Sequence, residues 1–95
     1  MQTSYVYILQ CSDESFYIGV TSDLTKRMHQ HDSGFYLSCY TFKRRPLKLV
    51  YYAEFSNIIM AIDTEKQIKK WSRAKRLALI KGDFDLLSNL SKKKF

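Results

Sequence analysis

Residues 5–20, which read YVYILQCSDESFYIGV, contain two short aromatic and β-branched runs on either side of a polar cluster. The runs, residues 5–9 and 16–20, are rich in the side chains that favour strands. The polar cluster, residues 12–15, is typical of a turn. Two strands joined by a short turn predict an antiparallel β-hairpin at the start of the chain.

The register of this hairpin decides which side chains share a face of the sheet. If the loop spans residues 11–15, Leu9 pairs with Tyr17 and Tyr7 pairs with Gly19. Both tyrosine hydroxyls then emerge on the same face of the sheet. Gly19 is predicted to have a structural role, because a residue without a side chain leaves space beside Tyr7. A shift of one residue would separate the two tyrosines.

The remainder of the chain predicts helices and one further strand. Thr21-Ser22-Asp23 offers N-cap residues for a helix to about Ser33, with Gly34 as its C-cap. A loop over 35–46 follows, and then a strand over 47–55 with its odd-numbered residues on one face. Ser56-Asn57 caps a helix over about 58–73. A helical segment over about 75–81 and a short helix after Asp83 complete the chain. The order ββαβααα predicts an α+β fold, a small three-stranded antiparallel sheet flanked by helices.

Length and composition point to one domain over residues 1–95, with a core at about 4–81, a helical extension at 83–91 and a basic tail at 92–95. No apolar run approaches the roughly 20 residues of a membrane span, and the N-terminus shows no secretion signal. Cys11 and Cys39 lack the spacing of a metal or disulfide motif, so they are expected to be thiols in a reducing cytoplasm, the bacterial cytosol or nucleoid.

The net charge of +7 is concentrated in two segments that contain no acidic residue. Residues 33–53 carry four basic side chains and residues 66–81 carry seven. A solvated helix face usually mixes both signs, because oppositely charged residues four apart stabilise it. The two basic segments therefore either increase the solubility of the protein or bind a polyanionic partner such as nucleic acid.

Glu65 breaks the apolar pattern of the second long helix. Its neighbours along the helix, Ala61, Ile62 and Ile68, predict that it lies on the face turned to the core. A carboxylate there needs an ion-pair partner, such as Arg27 or Lys69, or a metal ion. The second option is one oxygen ligand for Mg²⁺, which needs only one or two carboxylates together with water and substrate phosphate.

Arg27 and His31 are four residues apart on the first helix and are predicted to face the sheet, whereas His29 is predicted to be exposed. In one interpretation, both residues belong to the ordinary border between the polar and apolar faces of an amphipathic helix. In the other, the Arg27 guanidinium binds a phosphate and the His31 imidazole transfers a proton near neutral pH. A zinc site built from the histidines and cysteines matches no familiar ligand spacing.

Together these residues resemble the GIY-YIG nuclease family. The resemblance rests on Tyr5-Val6-Tyr7, Tyr17-Ile18-Gly19, Thr21-x-Asp23-Leu24-x-x-Arg27 with His31, and Glu65 followed by Ile68-Lys69. It runs from about Tyr5 to Ile80, and the chain looks like the small stand-alone bacterial members that are related to the nuclease domain of the DNA-repair excinuclease. The chain departs from the family pattern at Tyr5, which replaces a glycine, and at Val20, where repair nucleases often carry a lysine.

The resemblance implies a metal-dependent endonuclease that hydrolyses DNA phosphodiester bonds with one divalent cation, Mg²⁺ or Mn²⁺. In that case Glu65 ligates the metal, Arg27 binds the scissile phosphate, Tyr7 and Tyr17 align or deprotonate the attacking water, and His31 lies beside them. The expected nucleic-acid contacts are Tyr40, Thr41, Lys43, Arg44, Arg45, Lys69, Lys70 and Arg73. Which tyrosine is the general base stays open.

The expected substrate is DNA that is recognised by its structure rather than its sequence, as in repair or recombination. A protein partner is a further expected source of specificity, and RNA is the alternative substrate. The alternative function is a nucleic-acid-binding module of the same fold with little or no cleavage. For a nuclease, we expect Tyr7, Tyr17, Arg27, His31 and Glu65 to converge around one cleft, on one side of the sheet, with room for a hydrated ion.

Overall fold

The computed structural model describes residues 3–32 and 44–83. In chain order the elements are β1 (Ser4–Gln10), β2 (Phe16–Thr21), α1 (Leu24–Asp32), β3 (Lys48–Phe55), α2 (Ile58–Lys70) and α3 (Arg73–Lys81). The strands form one antiparallel sheet in the order β2-β1-β3, so β1 is central and β2 is an edge strand. The predicted α+β fold is confirmed; Gly34, Cys39 and residues 84–95 of the predicted extension and tail lie outside the described residues.

The β1–β2 hairpin has the predicted register, with Leu9 opposite Tyr17 and Tyr7 opposite Gly19. Its loop is closed by the Cys11 amide, which donates to the Ser15 carbonyl at 2.9 Å. The carboxylate of Asp13 accepts from the amide and the hydroxyl of Ser15, at 3.1 and 2.6 Å. These hydrogen bonds fix the loop length, and the loop length fixes which residues pair across the two strands.

The two faces of the sheet differ in chemistry. Alternation along β1 and β2 places Val6, Ile8 and Ile18 on one face, where they form a buried cluster with side chains of α2 and α3. The helix residues of this cluster are Ala61, Ile68 and Leu79. The other face carries the odd-numbered residues of the hairpin, including Tyr7 and Tyr17. Apolar burial between the sheet and α2 and α3 therefore stabilises the fold and leaves the opposite face for other chemistry.

The prediction that the odd-numbered residues of β3 share one face is wrong at Leu49. Ile8 pairs with Tyr51 but Leu9 pairs with Leu49, so Val50 is an extra residue in β3. Such a bulge reverses the alternation on its far side. Tyr51 consequently packs against the core, whereas Leu49 lies on the opposite face and is 37% exposed.

The boundary between α2 and α3 also differs from the prediction. Asn57 caps α2 as expected, with its side-chain oxygen accepting from the Ile59 amide at 2.8 Å. The helix ends at Lys70 rather than near residue 73, because Ser72 caps a new helix and accepts from the Lys75 amide. Arg76 of α3 donates to the last carbonyls of α2, those of Ile68 and Lys69, at 3.1 and 2.7 Å. α3 ends at Gly82, whose φ of 73° is the left-handed conformation that glycine tolerates best.

None of the helices in the described ranges is both long enough and apolar enough to span a bilayer.

Candidate active site

Tyr7, Tyr17 and His31 form a compact cluster on the face opposite the apolar core. The Tyr7 hydroxyl lies 3.0 Å from Nε2 of His31, in a buried hydrogen bond whose direction follows the imidazole tautomer. The centroid of the Tyr17 ring lies 6.2 Å from that of Tyr7 and 5.3 Å from that of His31. The hairpin register brings the tyrosines together, and α1 supplies the histidine from above the sheet.

Gly19 provides the space that this cluster needs. A Cβ atom at this position would lie 2.5 Å from the Tyr7 hydroxyl oxygen and 2.6 Å from its Cζ atom. Tyr7 has 1% of its surface exposed and its hydroxyl is hydrogen-bonded, so its ring has little freedom to move aside. The close approach of ring and backbone therefore requires glycine, as its position beside Tyr7 predicted.

His31 is held in its neutral form. Burial lowers the pKa of His31 below its ordinary value of 6.5, the positive charge of Arg27 lowers it further, and Asp32 acts weakly in the opposite direction. The histidine is 3% exposed, while His29 on the same helix is exposed, as predicted. A neutral imidazole beside two phenols can accept a proton at neutral pH.

Arg27 lies one helical turn before His31, close enough for its charge to affect the imidazole. The start of α1 is fixed by Asp23, whose carboxylate accepts from the Lys26 amide at 3.0 Å. A polar surface pocket next to this turn is lined by Thr21, Ser22, Asp23, Lys26, Arg27 and Gln30. Lys26 was not among the predicted site residues, although its position next to Arg27 in the sequence marked it as a second cation of the same turn.

Glu65 forms an ion pair with Lys69, one of the two partners predicted for it. The distance from Nζ of Lys69 to Oε2 of Glu65 is 3.1 Å, and the glutamate side chain is 18% exposed. Ile62, predicted to share the inward stripe, is 38% exposed, whereas Ala61 and Ile68 are buried. Glu65 therefore lies at the border of the inward face of α2 rather than at its centre.

The arrangement of these residues differs from the expected single cleft on one side of the sheet. α2 packs against Val6 and Ile8, whereas His31 of α1 contacts Tyr7 on the other face. The flank of α2 that carries Glu65 nevertheless borders edge strand β2, because Lys69 lines a shallow pocket together with Phe16, Tyr17, Ile18 and Arg76. Glu65 and the Tyr7–Tyr17–His31 cluster are thus placed on two faces of the same edge strand.

Several of the predicted nucleic-acid contacts bind other parts of the protein. Arg44 forms an ion pair with Asp13 at 3.0 Å, and Arg45 donates to the Asp32 carbonyl at 3.4 Å. Arg73 donates to the Glu14 carbonyl at 2.8 Å, and its guanidinium lies 4.7 Å from the centre of the Phe16 ring. Arg44 and Arg73 therefore hold the hairpin loop. Lys70 is exposed, and the predicted contacts Tyr40, Thr41 and Lys43 lie outside the described residues.

Glu65 offers a single carboxylate, which fits a hydrated hard cation and does not form a closed metal site. Among residues 3–32 and 44–83, no group of three or more histidine, cysteine, aspartate or glutamate side chains could enclose an ion. A single carboxylate is sufficient for Mg²⁺ that keeps its waters and binds substrate phosphate. To serve as that ligand, Glu65 must exchange its contact with Lys69 for the cation.

Comparisons with known proteins agree with the fold. The family model of the GIY-YIG catalytic domain matches residues 3–78. A UPF0213 protein of Syntrophus aciditrophicus is 47% identical over 81 residues, which cover 85% of this chain and 93% of that protein. A UPF0213 protein of Clostridium perfringens is 47% identical over 77 residues, which cover 81% of this chain and 82% of that protein.

Two solution NMR structures are similar to this fold. One is a UPF0213 protein of Bacillus halodurans, with 38% identity, a TM-score of 0.56 and coverage of 83% of each chain. The other is a protein of E. faecalis, with 31% identity, a TM-score of 0.62 and coverage of 88% of each chain. Since the family model and these relatives span most of its length, the chain belongs to the GIY-YIG catalytic domain family, in the group of the UPF0213 proteins.

Proposed function

We propose that this protein is a metal-dependent endonuclease that hydrolyses DNA phosphodiester bonds at the β2 edge of its sheet. GIY-YIG nucleases generally use a divalent metal and act on DNA. The observation that carries the proposal is the buried Tyr7–His31 hydrogen bond with Tyr17 beside it. A fold held by the apolar face alone does not need this polar cluster on the other face.

The burial of the two tyrosines assigns them different roles in this proposal. Tyr7 is 1% exposed and bonded to His31, so it fixes the imidazole. Tyr17 is half-buried on the edge strand, and it is the tyrosine whose hydroxyl can reach the attacking water. A free phenol has a pKa of about 10, so the water's proton needs a better acceptor nearby. We assign that role to the neutral imidazole of His31, in the tautomer whose Nε2–H donates to Tyr7 and whose Nδ1 carries the lone pair.

Charge on the reacting phosphate is the second requirement of hydrolysis. Arg27 offers a guanidinium fork to phosphate oxygens next to the cluster, and Lys26 adds a second positive charge in the same pocket. Glu65 would hold Mg²⁺ or Mn²⁺ from the other side of β2. When bound, the cation neutralises negative charge on the phosphate and acidifies water.

The proposal is tested by cleavage of single-stranded, duplex, flapped and branched DNA, with RNA as a comparison, in Mg²⁺ or Mn²⁺. Glu65→Gln keeps the size of the side chain and is expected to slow cleavage at least about 100-fold, the scale of one lost charge-stabilising group. Asp63→Asn, an exposed carboxylate on the same helix, is the matched control and is expected to cleave normally. Equal activity of Glu65→Gln and wild type would overturn the metal assignment.

A second measurement tests the geometry around β2 without relying on activity. Mn²⁺ bound at Glu65 is expected to broaden the NMR signals of Tyr17, Ile18 and Gly19 through its unpaired electrons. The broadening is expected to disappear in Glu65→Gln and to persist in Asp63→Asn. Broadening confined to residues far from β2 would contradict the proposed site.

The alternative function, a nucleic-acid-binding module with little or no cleavage, is favoured by the ion pair between Lys69 and Glu65. In that case DNA binding depends steeply on salt, because phosphate contacts release counterions. The panel described above would then show binding to DNA and no cleavage in either metal.

A further inference from the structure

The face of the sheet that carries the Tyr7–Tyr17–His31 cluster continues into a second pair of tyrosines. Tyr52 is the cross-strand partner of Tyr7 on β3, and Tyr5 lies two residues before Tyr7 on β1. The centroids of the Tyr5 and Tyr52 rings are 6.4 Å apart. Tyr52 is 56% exposed, so much of its ring is available to a ligand.

These tyrosines line a surface pocket together with Ser22, Asp23, Leu24 and Thr25. The pocket combines aromatic and aliphatic surface with hydroxyl and carboxylate groups. Flat, partly polar molecules bind to this combination, since their faces stack on the rings and their edges form hydrogen bonds.

The aromatic pocket adjoins the polar pocket that contains Lys26 and Arg27. Ser22 and Asp23 belong to the lining of both pockets, and they form the wall between them. One pocket therefore offers two cations and one carboxylate, that of Asp23, which already accepts from the Lys26 amide, and its neighbour offers an aromatic surface. A nucleotide has the same division, with a charged phosphate on one side of its sugar and an aromatic base on the other.

We infer that the Tyr5–Tyr52 pocket is a binding site for one unpaired nucleobase, whose phosphate occupies the adjoining Lys26–Arg27 pocket. The inference rests on the proposed function and adds to it a subsite for the nucleotide next to the phosphate that is cleaved. A base paired within a duplex has its faces covered by its neighbours, so the pocket selects a base that is bulged, flipped or in a single strand.

The test uses a DNA duplex with one unpaired 2-aminopurine, whose fluorescence is quenched by stacking, and EDTA to prevent cleavage. Wild type and Tyr52→Phe are expected to quench the probe, because both keep an aromatic ring. Tyr52→Ala is expected to lose the quenching and to bind the probe roughly 5- to 150-fold more weakly, the effect of one lost base–aromatic stack. Its affinity for the fully paired duplex of the same length is expected to stay unchanged.

Leu49→Ala is the matched control, because Leu49 is exposed on the same strand and is not among the residues that line the pocket. It is expected to quench and bind like wild type. Equal quenching by Tyr52→Ala and wild type would overturn the inference, and so would an equal loss of affinity for the paired duplex. Failure of the nuclease proposal has a different signature, which is normal quenching in EDTA without cleavage in Mg²⁺ or Mn²⁺. Absence of binding to either DNA in EDTA would overturn the inference, and absence of cleavage in Mg²⁺ or Mn²⁺ as well would overturn both proposals.

Discussion

The two faces of the sheet are built from the same strands, but one packs in the core and the other carries the candidate site. On the face covered by α2 and α3, Val6, Ile8 and Ile18 meet apolar helix residues and are almost fully buried. On the face toward α1, the neighbouring residues Tyr7 and Tyr17 surround His31 through a hydrogen bond and ring contacts. Because consecutive residues of a strand point to opposite faces, one hairpin can separate fold stability from site chemistry. Substitutions on each face test this separation.

The largest expected effect on stability is on the apolar face. Ile8 has no exposed surface, so Ile8→Ala leaves a cavity and is expected to lower the free energy of unfolding by about 2–5 kcal/mol. Urea denaturation measures this change. Leu49→Ala, which removes an exposed apolar side chain from the other face, is expected to have little effect. Similar losses in the two variants would show that the faces do not differ in this way.

Gly19→Ala is the substitution that tests the packing of the tyrosine face most directly. The added methyl group collides with the Tyr7 ring, and overpacking of this kind costs about 1–3 kcal/mol. Displacement of the Tyr7 hydroxyl from His31 is also expected to reduce cleavage in the fraction that remains folded.

Gly82→Ala is the control for Gly19→Ala. Gly82 has a φ of 73°, and no atom of residues 3–32 and 44–83 lies within 4 Å of an added Cβ, so alanine is strained there without touching the cluster. Loss of stability with normal cleavage is expected for Gly82→Ala. The same pattern in Gly19→Ala would contradict the role assigned to the space beside Tyr7.

His31 makes the stability of the tyrosine face depend on pH. Its pKa in the folded protein lies below the ordinary value of 6.5, because burial and Arg27 disfavour the charged form. Well above the ordinary value of 6.5 neither the folded nor the unfolded state binds the proton, and the stabilisation is fully present. As the pH falls below that value the unfolded state is protonated first, so the free energy of unfolding falls until the pH reaches the folded pKa.

The slope contributed by this one proton is at most about 1.4 kcal/mol per pH unit. Urea denaturation between about pH 8 and about pH 5 measures it, above the range in which most carboxylates titrate. His31→Gln is expected to flatten the pH dependence, whereas His29→Gln, an exposed position on the same helix, is expected to keep it. Equal slopes for the two variants would contradict the assignment to His31.

The smallest expected effect is at the flank of α2, between the two faces. Lys69 and Glu65 are four residues apart and Lys69 is 53% exposed, so the pair contributes about 0.3–0.5 kcal/mol. Lys69→Met is expected to change the free energy of unfolding by no more than this. A much larger loss in urea denaturation would show that Glu65 is a structural ion-pair residue rather than a group available to a cation.

The local parts of this architecture could be predicted from the sequence because they depend on short-range rules. Loop length and alternation determined the pairing of Tyr7 with Gly19, and the spacing of four residues placed His31 one helical turn after Arg27. Asn57 begins α2 and Gly82 ends α3 as expected, since capping depends on one side chain or one backbone angle.

The errors arose where a residue's neighbours come from distant segments. The bulge at Val50 depends on how β3 pairs with β1, and nothing within β3 alone marks it. The predicted boundary between the helices, near residue 73, fell just after Ser72, which caps α3. The contacts of Arg44 and Arg73 with the hairpin loop join residues 31 and 59 positions apart, beyond any local spacing rule. Tyr52 could have been found beside Tyr7 only if the β1–β3 register had been known.

The position of β2 at the margin of the sheet has a consequence for the shape of the molecules that this protein can handle. A long polymer can be laid sideways against such a margin at any point along its length, whereas a tunnel admits it only by a terminus. If the reaction occurs at β2, a covalently closed circle with no terminus is as accessible as a linear strand. In a single-stranded circle, the first cut would give a single full-length linear product.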